Sequence, residues 1–172
     1  MANASKTPAA TTTEENAEHG FVAPASLRDD LQHVLVDLVN LHLVGKQIHW
    51  NLVGPNFRDL HLNMDEVVAI AREGSDDIAE RMRALHATPD ARSTTVAGDS
   101  TLPEVPRGEI LTSDAVDLAV RAIEGTVATM RAVHDSVDKA DPSTSDILHE
   151  YIARLEQQAW FISSETRRPA TT

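Results

Sequence analysis

Apolar side chains recur at intervals of three and four residues along four long stretches of this chain, the period of an amphipathic helix. The first stretch runs from Ser26 to Leu52, with Leu27, Leu31, Val34, Leu35, Leu38, Leu41 and Ile48 on one stripe. Ser26 stands where a cap would, with Asp29 in the first turn. Val53-Gly54-Pro55-Asn56 breaks the pattern. Asn56 then caps a second stretch reaching Leu85, whose stripe is Phe57, Leu60, Met64, Val67, Ala71, Ile78, Met82 and Leu85. Gly74 lies inside it, at a cost of about 1 kcal/mol relative to alanine. The third stretch, Thr112 to Ala140, turns Val116, Val120, Ile123, Val127, Met130, Val133 and Val137 inward. Asp141-Pro142, a capping residue followed by proline at the first helical position, starts a fourth through Thr166. It carries Ile147, Leu148, Tyr151, Leu155, Trp160 and Ile162.

Strand patterns are nearly absent. Helices of roughly 25 residues span about 38 Å. The breaks after the first and third are short, whereas His86 to Leu111 holds three prolines and two glycines and reads as a long crossover. Two short turns and one crossover predict an all-α four-helix bundle with ferritin-like connections over residues 25–166. Residues 1–24 read as a loose tail and 167–172 as a second, shorter one.

Charge narrows the partners. The 172 residues carry 27 acidic against 15 basic side chains, a net of -12. Such a surface repels nucleic acid and anionic membranes and attracts cations. Cysteine is absent, which removes disulfides, thiolate-bound zinc and a thiol nucleophile and fits a reducing cytoplasm. No apolar run approaches the roughly 18 residues of a membrane span, and the first residues show no apolar signal-peptide core.

Five metal-competent side chains lie close together: His49, His61, Asp65, Asp76 and Glu80. His61 and Asp65 are four apart and share a helix face, as do Asp76 and Glu80. The eleven residues from Asp65 to Asp76 return to within about 20° of the same face but advance about 16 Å along the axis. The pairs therefore point one way yet cannot share an ion within one subunit. Either they are independent, or a second copy of the helix packs antiparallel across a two-fold axis. In the second case His61 and Asp65 of one copy face Asp76 and Glu80 of the other, and His49 joins from the first helix. Two imidazoles with carboxylates suit Fe(II) and, less selectively, Zn, Mn or Co. Alone, each short motif is more often a solvated face or a local hydrogen bond. Glu-x-x-His, the mark of di-iron sites inside one bundle, occurs nowhere.

The segment H-W-N-x-x-G-x-x-F from His49, L-H-x-x-x-D from Leu60 and D-x-x-A-E-R from Asp76 resembles the signature of the Dps proteins, DNA-binding proteins from starved cells, or mini-ferritins. The likeness runs from about residue 26 to 166 and includes L-E-Q-Q-A-W-F-I at Leu155 to Ile162. It implies a hollow dodecamer that binds Fe(II) between two-fold-related subunits, oxidises it with hydrogen peroxide or oxygen, and stores ferric mineral. By position, His49, His61 and Asp65 would come from one subunit and Asp76 and Glu80 from its partner. Trp50, beside them, would quench radicals or pack at the interface. Asp146 and Glu150 would line the three-fold pores, and Asp29, Asp30 and Asp37 would face the cavity or solvent.

DNA binding is the less favoured implication. Binding members use a lysine-rich tail, whereas this tail sets Lys6 against Glu14, Glu15 and Glu18. Arg167 and Arg168 are a thin substitute at the other end, although repetition over many subunits adds avidity. The expected location is the cytoplasm, at the nucleoid if DNA is bound. The rival readings are a DNA-compacting protein with secondary iron chemistry, and a bundle whose histidines and acids only hold an interface.

Overall fold

The computed structural model describes residues 20–169. Four long helices form where the apolar period runs: α1 (Ala25–Asn51), α2 (Phe57–Ala84), α4 (Thr112–Ala140) and α5 (Pro142–Ser164). The crossover contains a further short helix, α3 (Ser93–Asp99). α1 packs on α2 and α4, and α5 packs on α4 and α2, closing an all-α ring around one core. Leu31, Val34, Leu35, Leu38, Ile48, Met64, Ile78, Ile123, Met130, Leu148 and Leu155 lie wholly inside. Each such side chain contributes about 1.5–3 kcal/mol by leaving water.

The crossover runs the length of the bundle. Just before α4 it makes a two-residue strand, β2 (Ile110–Leu111), parallel to β1 (Leu52–Val53) in the α1–α2 turn. Leu52 faces Ile110 and Val53 faces Leu111. Two residues are too few to show a strand period, so this pairing is not readable locally. Further along, the crossover is fastened by Asp37, which is buried rather than facing a cavity or solvent. Its carboxylate accepts hydrogen bonds from Ser100 Oγ (2.8 Å), Thr101 N (2.9 Å), Thr101 Oγ1 (2.7 Å) and, across the core, Thr129 Oγ1 (2.6 Å). A buried charge survives only with such partners.

Several sequence expectations are corrected. Helix α1 begins one residue before Ser26, and Pro24 takes the capping position without a side-chain bond. Instead Ala23 is buried and its N–H donates to Leu85 O at 3.0 Å, which anchors the helix start through its backbone. Asn56 stands at the cap of α2 in a left-handed conformation (φ 57°), and its side-chain amide donates to Glu165 Oε2 at 3.1 Å rather than to the helix. Phe57 and Trp160, expected inside, are exposed, at 42% and 59%. Phe57 is the first residue of α2, and Trp160 projects from a different face of α5 than the buried Leu155, Ala159 and Ile162. Phe57 lies tilted against the His61 ring at 5.2 Å, and Trp160 against Phe161 at 4.9 Å.

Gly74 has a packing reason. A Cβ there would stand 2.9 Å from Tyr151 Cδ1, so the glycine lets α5 approach α2 closely. Tyr151 uses the space to donate a hydrogen bond from its buried hydroxyl to Asp77.

Candidate metal centre

His49 lies in the last turn of α1 and His61 in the second turn of α2. Gly54, at φ +119°, and Asn56 allow the reversal that brings the helices side by side. The two imidazoles stack with centroids 3.6 Å apart and planes 22° from parallel. His49 Nδ1 lies 3.0 Å from His61 O, and His61 Nδ1 lies 3.1 Å from His49 O. A carbonyl only accepts, so each Nδ1 carries a hydrogen and Nε2 is the ring nitrogen left to face a metal. Backbone carbonyls thus do for both rings what outer partners do for metal-bound histidines.

Asp65 follows one turn after His61, with Oδ1 3.4 Å from His49 Nδ1. One donor atom from each of His49, His61 and Asp65 lies within 4.8 Å of the others. Among the described residues this is the one such convergence of three or more His, Asp or Glu donors. His49 is buried, while His61 and Asp65 are half-buried, so the cluster is partly open to solvent. Two nitrogens and a carboxylate of this kind fit a borderline transition cation, Fe(II) included.

Asp76 and Glu80 are absent from the cluster. Both are exposed on α2 further along the helix, and neither makes a hydrogen bond or ion pair within the described residues. Their neighbour Arg81 points elsewhere, onto Asp141 Oδ2 (2.6 Å) and Thr144 Oγ1 (2.9 Å). One subunit therefore carries two separated sets of donors on the same helix.

Trp50, next to His49, is 69% exposed. It borders an open recess of about 700 Å³ together with Leu43, Lys46, Leu102 and Val105. Asp146 and Glu150 lie exposed near the start of α5. Glu150 accepts from Arg154 at 3.2 Å, whereas Asp146 Oδ1 reaches only His149 Nδ1, at 3.8 Å.

One participant escapes the sequence reading. Lys46 Nζ donates to Asp65 Oδ1 at 2.6 Å. That hydrogen bond holds the Asp65 carboxyl below the usual carboxylate range. The signal was available: Lys46 lies three residues before His49, on the same helix face.

The ferritin-like domain, as a family model, matches residues 28–169. The DNA protection during starvation protein of Agrobacterium fabrum is 31% identical over 139 residues, which cover 80% of this chain and 85% of that protein. The chain belongs to the Dps family. Another relative is the fine tangled pili major subunit of Haemophilus ducreyi, 33% identical over 86% of this Dps chain and 81% of its own. The fold is similar to that of Dps from Microbacterium arborescens in its high iron form, with a TM-score of 0.78 and 29% identity. That match covers 85% of this chain and 98% of the other.

Proposed function

We propose that this Dps chain oxidises Fe(II) at a centre shared between two subunits and stores the ferric product inside a hollow dodecamer. The observation that carries this reading is the convergence of His49, His61 and Asp65, with Asp76 and Glu80 left unengaged on the same helix. An antiparallel copy across a two-fold axis would bring Asp76 and Glu80 of the partner subunit over the cluster, making two identical centres per pair. The exposed Trp50 and Leu43 beside the cluster are the apolar surface such a partner would cover.

Iron is the substrate. Asp65, together with Glu80 of the partner subunit, supplies the firm carboxylate ligands, and His49 and His61 offer Nε2 to a second, weaker position. Two Fe(II) ions each lose one electron. Hydrogen peroxide takes both as its O–O bond breaks and, with two protons, leaves as two waters. Paired transfer avoids the one-electron step that frees hydroxyl radical. Oxygen is the alternative oxidant. Trp50 packs across the interface and stands ready to intercept a stray radical. Asp146, less engaged than Glu150, is the better candidate for a carboxylate ring that draws cations through a pore. The working location is the cytoplasm.

A second reading rests on the names of the relatives, several of which are DNA protection during starvation proteins. Direct DNA binding would need phosphate neutralisation, and the net charge of -12 opposes it. Protection by removing iron and peroxide needs no contact with DNA. A gel shift across salt concentrations separates the two.

Subunit complementation tests the shared centre. The variants His61→Ala and Glu80→Ala are each supplied anaerobically with Fe(II) and then with one peroxide per two irons, while ferric absorbance is followed. Both are expected to lose fast oxidation with assembly intact by sizing. Dissociated, mixed and reassembled, they should regain about a quarter of the native rate, since half the pairs are mixed and each mixed pair holds one intact centre. Full oxidation in either variant, or no recovery on mixing, overturns the reading.

A further inference from the structure

The α4–α5 hairpin carries two histidines that the iron site does not use. His134 lies near the end of α4 and His149 near the start of α5, seven residues before and eight after Asp141 at the turn. The hairpin sets them opposite each other. Their Nε2 atoms are 2.6 Å apart, with ring centroids at 4.6 Å. The buried Ser145 Oγ comes within 3.2 Å of His134 Nε2.

The outer nitrogens are also engaged. His134 Nδ1 lies 3.1 Å from Asp135 Oδ1, and His149 Nδ1 lies 3.8 Å from Asp146 Oδ1. A carboxylate only accepts, so Asp135 favours a hydrogen on His134 Nδ1 and a lone pair on its Nε2; Asp146, at 3.8 Å, is too far to hydrogen-bond His149. At 2.6 Å the two Nε2 atoms need a hydrogen or a metal ion between them. A carboxylate bonded behind His134, an acid near His149 and converging Nε2 atoms in front are the outer and inner parts of a histidine metal site.

We propose that His134 and His149 form a second transition-metal site, a two-imidazole clip for Zn2+ or Cu2+ on the α4–α5 hairpin, independent of the iron centre. Metal–nitrogen bonds of about 2.0–2.1 Å at a tetrahedral angle separate two donors by about 3.3 Å. The rings must part by about 0.7 Å on that geometry. His149 has the freedom to do so, with its side chain 57% exposed. The ion takes the place of the hydrogen between the two Nε2 atoms. Water completes the coordination from the adjoining recess of about 400 Å³. The nearest cationic side chain on that recess, Arg131, is neutralised by Glu156 at 2.5 Å, so no free positive charge opposes the ion. Softer imidazole donors favour Cu2+ and Zn2+ over Mg2+ or Ca2+.

The test uses the assembled full-length protein loaded with Cu2+ or Zn2+ alone. In a His49→Ala/His61→Ala background, where the iron centre offers no imidazole, Cu2+ electron paramagnetic resonance should show a signal with two coupled nitrogens that His149→Ala abolishes. Equilibrium dialysis should find one fewer Zn2+ per subunit in that variant than in the native protein. Zn2+ should raise the Tm of the native protein more than that of the variant, because binding the folded state alone stabilises it. Peroxide-driven iron oxidation should be unchanged. The double variant His134→Ala/His149→Ala, checked by sizing, should match the single one. Equal Zn2+ stoichiometry in native and variant proteins, or a two-nitrogen Cu2+ signal that persists without His149 in the background lacking His49 and His61, overturns the proposal. Neither outcome depends on the fate of the iron centre.

Discussion

Lys46 holds Asp65: its ammonium lies 2.6 Å from the carboxylate oxygen that also faces His49. An incoming cation must displace that ammonium or share the carboxylate with it. Replacement by a neutral side chain of similar length, Lys46→Met, is expected to tighten anaerobic Fe(II) or Zn2+ binding at the centre. The pair is partly exposed, so the gain is about fivefold, near the upper end for such pairs. Calorimetric titration measures it. Weaker binding in the variant would show instead that Lys46 positions Asp65 for the metal.

The close approach of α2 and α5 at Gly74 predicts a substitution that defies helix propensity. Alanine is the better helix former by about 1 kcal/mol. Its Cβ would nevertheless meet the Tyr151 ring at 2.9 Å, and that ring is buried and hydrogen-bonded to Asp77. Gly74→Ala is therefore expected to destabilise, by about 1–3 kcal/mol in the usual range for overpacking. Adding Tyr151→Leu should recover part of the loss, a non-additivity readable from Tm values of the two singles and the double.

Acid stability turns on the α4–α5 corner. Burial pushes the Asp141 carboxyl up, but hydrogen bonds from Thr144 and Arg81 outweigh it and leave it below the usual range. A carboxyl with a depressed folded pKa stabilises the fold fully above its unfolded value, about 3.9. That contribution fades as pH falls through the folded value. Asp141→Asn should lower Tm at pH 7 by several degrees, for about 1–3 kcal/mol lost. Its Tm should then fall less than the native one between pH 5 and pH 3. Parallel curves for the two proteins would exclude Asp141 from acid unfolding.

The four long helices were legible because their buried positions recur with one unbroken period, from Leu27 to Ile48 and again from Leu60 to Met82. The period fails at its margins. Phe57 keeps the spacing of the core but is the first residue of α2, whereas Trp160 lies off the face that buries Leu155, Ala159 and Ile162. Caps were misread for a related reason: Ser26 and Asn56 have the right chemistry, yet the burial of Ala23 and the reach of Asn56 to Glu165 are long-range facts. The same division runs through the candidate sites. His61 and Asp65 share one helix, so spacing alone places them together, and the Gly54 turn brings His49 to them. Lys46 obeyed the same rule and was passed over. His134 and His149 come from different helices, and only the length of each arm about Asp141 hints that they meet. Asp37 looked like a surface charge because its four donors lie about 60 to 90 residues away, in the crossover and α4.

The distance along α2 between Asp65 and Asp76 has a consequence for when the chemistry can occur. If the centre is shared as proposed, a newly made subunit carries half of each centre and the whole of none. Under the proposed pairing, oxidising power scales with the square of subunit concentration until pairs form, then becomes a fixed property of the shell. A stray monomer, or a fragment cut from one, would be chemically silent toward iron, so the reaction would begin only where a compartment waits to receive its product.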